Sequence, residues 1–112
     1  MRWLYHLVPA DLALDDPYAP ASLAVEGFVH ASYQGAVRES ARLHFPSGAA
    51  LHVLQIDPRR LAARIEEAET PRGPMPHVFG PIPRDAVAAG LPLDAVDEAP
   101  DVVEEPDRAH RS

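Results

Sequence analysis

Apolar and polar positions change period several times along this chain, and each change marks an element. Residues 1–8 alternate loosely through Trp3, Leu4, Tyr5, Leu7 and Val8, a pattern that predicts a first strand ended by Pro9. Ala10–Asp15 reads as a short helix, and Asp16–Ser22, with Pro17 and Pro20, as a loop. Gly27–Ala31 reads as a short buried strand. Tyr33, Val37, Ala41 and Phe45 then fall at i, i+4 spacing, while Arg38, Glu39 and Arg42 lie largely on the other face. That spacing predicts the main helix over about 33–45, stopped by Pro46-Ser47-Gly48.

The apolar run Ala50–Ile56 predicts the best strand of the chain, and Asp57-Pro58 opens a helical turn reaching Leu61. Ala63–Glu67 predicts another strand, Glu69–Pro76 a loop, and His77–Phe79 a short strand cut off by Gly80-Pro81. Pro83–Ala88 reads as a helical turn. Leu91–Val96 reads as a last strand, which Pro92 confines to an edge or an end. From Asp97 onward the chain is acidic and poor in large apolar residues, the pattern of a disordered tail. Strands outnumber helices and the helices cluster early. The expected class is therefore α+β, with one domain over residues 1–96 and a tail over 97–112.

Composition narrows the chemistry. There are no cysteines among the 112 residues, which excludes disulfides and thiolate catalysis and leaves histidine and carboxylates as metal ligands. Lysine is also absent, which excludes a Schiff-base lysine and makes arginine the one permanent side-chain cation. The net charge is −7, and residues 97–112 carry six acids against two arginines. Neither part has the basic footprint of a general nucleic-acid binder. The opening apolar run is short, is interrupted by His6 and lacks a small-residue cleavage site, so it does not read as a signal peptide. No run approaches the roughly 18–20 apolar residues of a membrane span, and a soluble, cytoplasmic protein is expected.

Two histidine motifs stand out, Gly27-Phe28-Val29-His30-Ala31-Ser32 and Met75-Pro76-His77-Val78-Phe79-Gly80-Pro81. On a strand, Phe28, His30 and Ser32 share one face. An imidazole and a hydroxyl so placed can hydrogen-bond one ligand, such as a ribose diol or an amide. Ser32 also precedes the helix, where a serine N-cap serves the backbone alone. His77 is stiffened by prolines on both sides, and Gly80 permits close approach of backbone to a ligand. His6, on the first strand, is either a satisfied core histidine or a third site residue. Glu66, Glu67 and Glu69 are the candidates for general acid or base work. Arg38, Arg42, Arg64 and Arg72 could each meet an anion, and no spacing selects one. Three histidines on three strands also leave a metal site open, although the close spacing usual for zinc is absent.

Taken together, Trp3-Leu4-Tyr5-His6-Leu7-Val8, the His30 motif, Leu54-Gln55-Ile56-Asp57 and the His77 motif, in that order, resemble domain-of-unknown-function family 952 over roughly residues 2–95. That family in turn resembles the ADP-ribosyltransferase-like fold, in its RNA 2'-phosphotransferase branch. The resemblance implies two small, curved, split sheets with a cleft between them. It implies that His30, Ser32 and His6 bind NAD, with His77 near the reacting centre. Glu66 stands in Arg64-Ile65-Glu66, where family members often show Arg-Trp-Glu, and His77 or Glu66 is implied to act at the reacting centre. The expected function is an NAD-binding, ADP-ribosyltransferase-like protein that cleaves the nicotinamide–ribose bond. A non-catalytic nucleotide or small-molecule binding module and a histidine metal site are the alternatives.

Overall fold

The strand expected over Ala50–Ile56 forms as β3, Leu51–Ile56, and lies at the centre of a three-stranded sheet. Its antiparallel neighbours are β1, Leu4–Pro9, and β6, Val87–Pro92. A second antiparallel sheet has β5, Gly73–Phe79, at its centre, between β2, Val29–His30, and β4, Arg64–Thr70. This architecture belongs to a computed structural model that describes residues 1–104. Two small antiparallel sheets with one main helix make the chain α+β, as its patterning predicts.

Strand parity explains the core. Leu4, Val8, Leu54 and Ile56 of the first sheet meet Val29 and Val78 of the second, with Ile82 and Ala86 completing one cluster. The opposite face of the first sheet, through Tyr5 and Val53, meets Val37 of the helix and Val96. The sheets are joined where Tyr5 and Ser32 exchange two backbone hydrogen bonds of 2.8 and 2.7 Å. The main helix comprises a 3₁₀ turn, Gln34–Ala36, and the α-helix Val37–His44. Val37 and Ala41 are buried as their spacing predicts, and Arg38 on the other face pairs with Asp97 at 2.8 Å.

Several expectations are corrected. No helix forms over residues 10–15, which are turn and irregular backbone with Leu12 exposed. A helix, α1, instead occupies Ala21–Glu26 and ends at Gly27. Gly27 has φ 90°, and its N–H meets the carbonyls of Ser22 and Leu23, so it closes a helix rather than starting a strand. (The main helix is hereafter α2.) The segment expected as a loop over 69–76 is a hairpin turning at residues 71–72. Thr70 Oγ1 donates to the Gly73 carbonyl at 2.7 Å and accepts from Arg72 N–H at 3.1 Å. Pro76 fits inside β5 because its carbonyl accepts from Ala31 N–H at 3.2 Å. The N–H it lacks would point the same way, away from the ladder with β4.

The last strand runs Val87–Pro92, and residues 93–96 join a 3₁₀ segment, Leu93–Glu98, entered from Pro92. The expected domain end at 96 is also too early. Asp101 and Val103 pair with the backbone of Trp3 and Met1, Arg2 meets Asp101 at 2.9 Å, and Val103 is buried. Two apolar anchors, Val96 and Val103, tie down a segment that composition alone marks as disordered. The rest of the expected tail, 105–112, lies outside the described residues. Among the described residues no helix is long and apolar enough to cross a membrane.

Candidate functional site

The pairing of β2, β5 and β4 puts three polar side chains in one row. His30 lies opposite His77, and His77 opposite Glu66. Directly opposed residues share a face, and Val29 and Val78 on the other face enter the core, so His30 and His77 are turned away from it. The His77 ring stacks on Phe28 at 4.0 Å and 12°, and His30 meets it edge-on at 5.4 Å. Beside them opens a mostly apolar cavity of about 620 Å³. His6, His30, Ser32 and His77 all line it, so four of the five predicted site residues come together.

His6 is fixed at both nitrogens. Its Nδ1 lies 2.6 Å from the His30 carbonyl and its Nε2 2.9 Å from the Tyr18 hydroxyl. A carbonyl only accepts, so Nδ1–H donates and Nε2 of the neutral ring accepts the Tyr18 O–H. Burial lowers the His6 pKa, and the neighbouring His30 ring lowers it further, against the opposing pull of the His30 carbonyl. His6 is therefore both a satisfied, partly buried histidine and a strut that sets the His30 backbone. The Tyr18 hydroxyl is itself pushed up by burial.

His30 is oriented from its other end. Its Nε2 donates to Glu26 Oε1 at 2.9 Å, which leaves Nδ1 of the neutral ring as an acceptor. His77 is shifted down by burial and by His30, with Glu26 opposing, and is neutral at neutral pH. One imidazole held by a carboxylate beside a second, neutral imidazole can accept and return a proton.

Ser32 is not the helix N-cap. Tyr33 holds that position without a side-chain cap, and Ser32 Oγ pairs with Ser40 Oγ at 2.9 Å in the cavity wall. Glu66 does not line the cavity and is paired with Arg64 at 2.6 Å. Gly80 serves packing rather than a ligand, because a Cβ there would lie 2.7 Å from the Ala63 Cβ. The metal alternative finds no support: among the described residues no group of three His, Asp or Glu side chains could hold an ion.

Three residues of the site were not singled out by spacing. Glu26 stands four residues before His30, a signal hidden by the turn at Gly27. Arg72 and Ser40 are brought to the cavity by the hairpin and by α2, and only tertiary structure reveals them.

A family model described as "Protein of unknown function (DUF952)" matches residues 10–90. The X-ray crystal structure of protein CC0527 from Caulobacter crescentus superposes with a TM-score of 0.65 at 18% identity, covering 80% of this chain and 84% of that one. A methionine double mutant of the same protein gives 0.65 at 17% identity with the same coverage. At that identity the likeness speaks for the fold alone. No curated protein matches the chain.

Proposed function

The chain belongs to the DUF952 family of proteins of unknown function, and we propose that its histidine cleft binds a nucleotide of the NAD type. The observation that carries this reading is the convergence of His6, His30, His77 and Ser32 on one cavity. Its volume, about 620 Å³, lies in the range of small-molecule sites, and a few polar groups in an apolar wall are what such sites present. In this reading His30 and Ser32 take the ribose hydroxyls and His6 holds the His30 backbone in place. His77 stands nearest the reacting centre. The two small sheets with a cleft beside them accord with an ADP-ribosyltransferase-like fold.

One observation favours binding without turnover. Among the described residues no carboxylate lines the cavity, and Glu66, the acid assigned to the reaction, is engaged by Arg64 outside it. An oxocarbenium-like centre in the cleft would lack the negative group that stabilises it. The non-catalytic module is therefore the second reading.

NAD or ADP-ribose at millimolar concentration is expected to raise the melting temperature by mass action, and His30→Ala to remove the rise while the chain stays folded. Absence of any rise in the wild type would refute the proposal. Nicotinamide release then separates the readings: release that disappears in His77→Ala supports a transferase, and no release on long incubation supports the binding module.

A further inference from the structure

At the tip of the β4–β5 hairpin, Arg72 is, among the described residues, the arginine that lines the cleft, and its side chain is only 20% exposed. Arg72 Nη1 donates to Ser40 Oγ at 3.1 Å, and Ser40 Oγ lies 2.9 Å from Ser32 Oγ. Half-exposed Glu39 steadies the same Nη1 at 3.4 Å.

The direction of this chain of hydrogen bonds is fixed at one end. A guanidinium only donates, so Ser40 Oγ must accept from it. One hydroxyl proton is used between Ser40 and Ser32, and the other is left to donate. Among the described residues, Arg72 Nε and Nη2 also have no hydrogen-bond acceptor. The surplus of this wall of the cleft is therefore dominated by donors, the spare hydroxyl proton and the N–H groups of Arg72 Nε and Nη2, with a permanent positive charge behind them. A neutral hydroxyl needs acceptors as well as donors, whereas an oxyanion needs donors alone.

We propose that Arg72, Ser40 and Ser32 form a phosphoryl-binding subsite of the cleft. This rests on the nucleotide reading and deepens it, moving Ser32 from the ribose hydroxyls to the phosphate because its hydroxyl is paired with Ser40. The base and ribose lie along the apolar wall and the imidazoles, and the phosphate oxygens take the donors of Arg72 and the serine pair.

The test compares adenosine, ADP-ribose and inorganic pyrophosphate on the full chain by calorimetry and thermal shift. The wild type is expected to bind ADP-ribose roughly tenfold to a hundredfold more tightly than adenosine, the range for charge-assisted hydrogen bonds. Arg72→Gln should erase that preference and leave adenosine affinity unchanged, whereas His30→Ala should weaken both nucleosides. A preference that survives Arg72→Gln overturns the subsite. If neither nucleoside binds the wild type, the nucleotide reading fails and pyrophosphate decides. Stabilisation by pyrophosphate that Arg72→Gln removes keeps the subsite, and equal stabilisation or none overturns it. Should Arg72→Gln not fold, Arg72→Lys and Ser40→Ala carry the test, and an unchanged preference in both overturns the proposal.

Discussion

Replacing His6 by alanine is expected to destabilise the fold by roughly 2–4 kcal/mol. The imidazole bridges the His30 carbonyl and the part-buried Tyr18 hydroxyl, so its removal leaves an acceptor and a donor at the cleft wall without their partner and opens a gap. The part-buried Tyr18 hydroxyl left unpaired costs about 1–3 kcal/mol, and the lost packing of the ring adds to it. The pH dependence has a definite sign. The folded-state pKa of His6 is depressed below the ordinary histidine value by burial. The unfolded chain therefore takes up a proton near pH 6.5 that the folded chain refuses. Its contribution is complete above that pH and is lost as pH falls toward the folded value. His77 is shifted in the same direction, so His6→Ala should reduce the acid-side slope without abolishing it. Denaturant unfolding of both proteins between pH 5 and 8 checks this. A variant of wild-type stability and slope would mean that His6 does not bear on the His30 backbone.

Gly80→Ala is expected to cost about 1–3 kcal/mol through overpacking. The new Cβ would lie 2.7 Å from the Ala63 Cβ, closer than real Cβ contacts approach. Ala63 packs against the main core at the approach to β4, and Gly80 directly follows Phe79 at the end of β5. The clash would therefore pry apart the two strands whose pairing aligns His77. Combining it with Ala63→Gly removes the opposing methyl and should recover most of the loss, giving a coupling of about 1 kcal/mol or more in the four-member cycle. Additive effects would show that the two residues do not meet.

What could be read from the chain divides by range. The strand Leu51–Ile56 was legible from its bounded apolar run and the helix Val37–His44 from its i, i+4 spacing. Helix Ala21–Glu26 was not, because it buries no residue and its stop at Gly27 looks like the start of the strand that follows. The hairpin at Thr70–Gly73 was hidden by Pro71, Pro74 and Pro76, since which side of a strand lacks an N–H depends on neighbours not written in the segment. The packing of Asp101 and Val103 depends on a partner about a hundred residues earlier.

The site divides in the same way. His30 was placed by strand parity, and His77 faces it through the register that parity allows. Glu66 shares that row, but its pairing with Arg64 and its place outside the cavity wall follow from the width of the sheet. Arg72 could not be preferred over Arg38, Arg42 or Arg64 until the hairpin and α2 brought it against Ser40.

Histidine ring resonances of the nitrogen-15-labelled chain, followed while NAD is added to millimolar concentration, bear most directly on the cleft. His30 and His77 should move together and saturate, while exposed His52, which does not line the cavity, stays fixed. Rings of His30 and His77 that stay unmoved at saturating concentration, or shifts confined to His52, would contradict the assignment of this cleft as the nucleotide site.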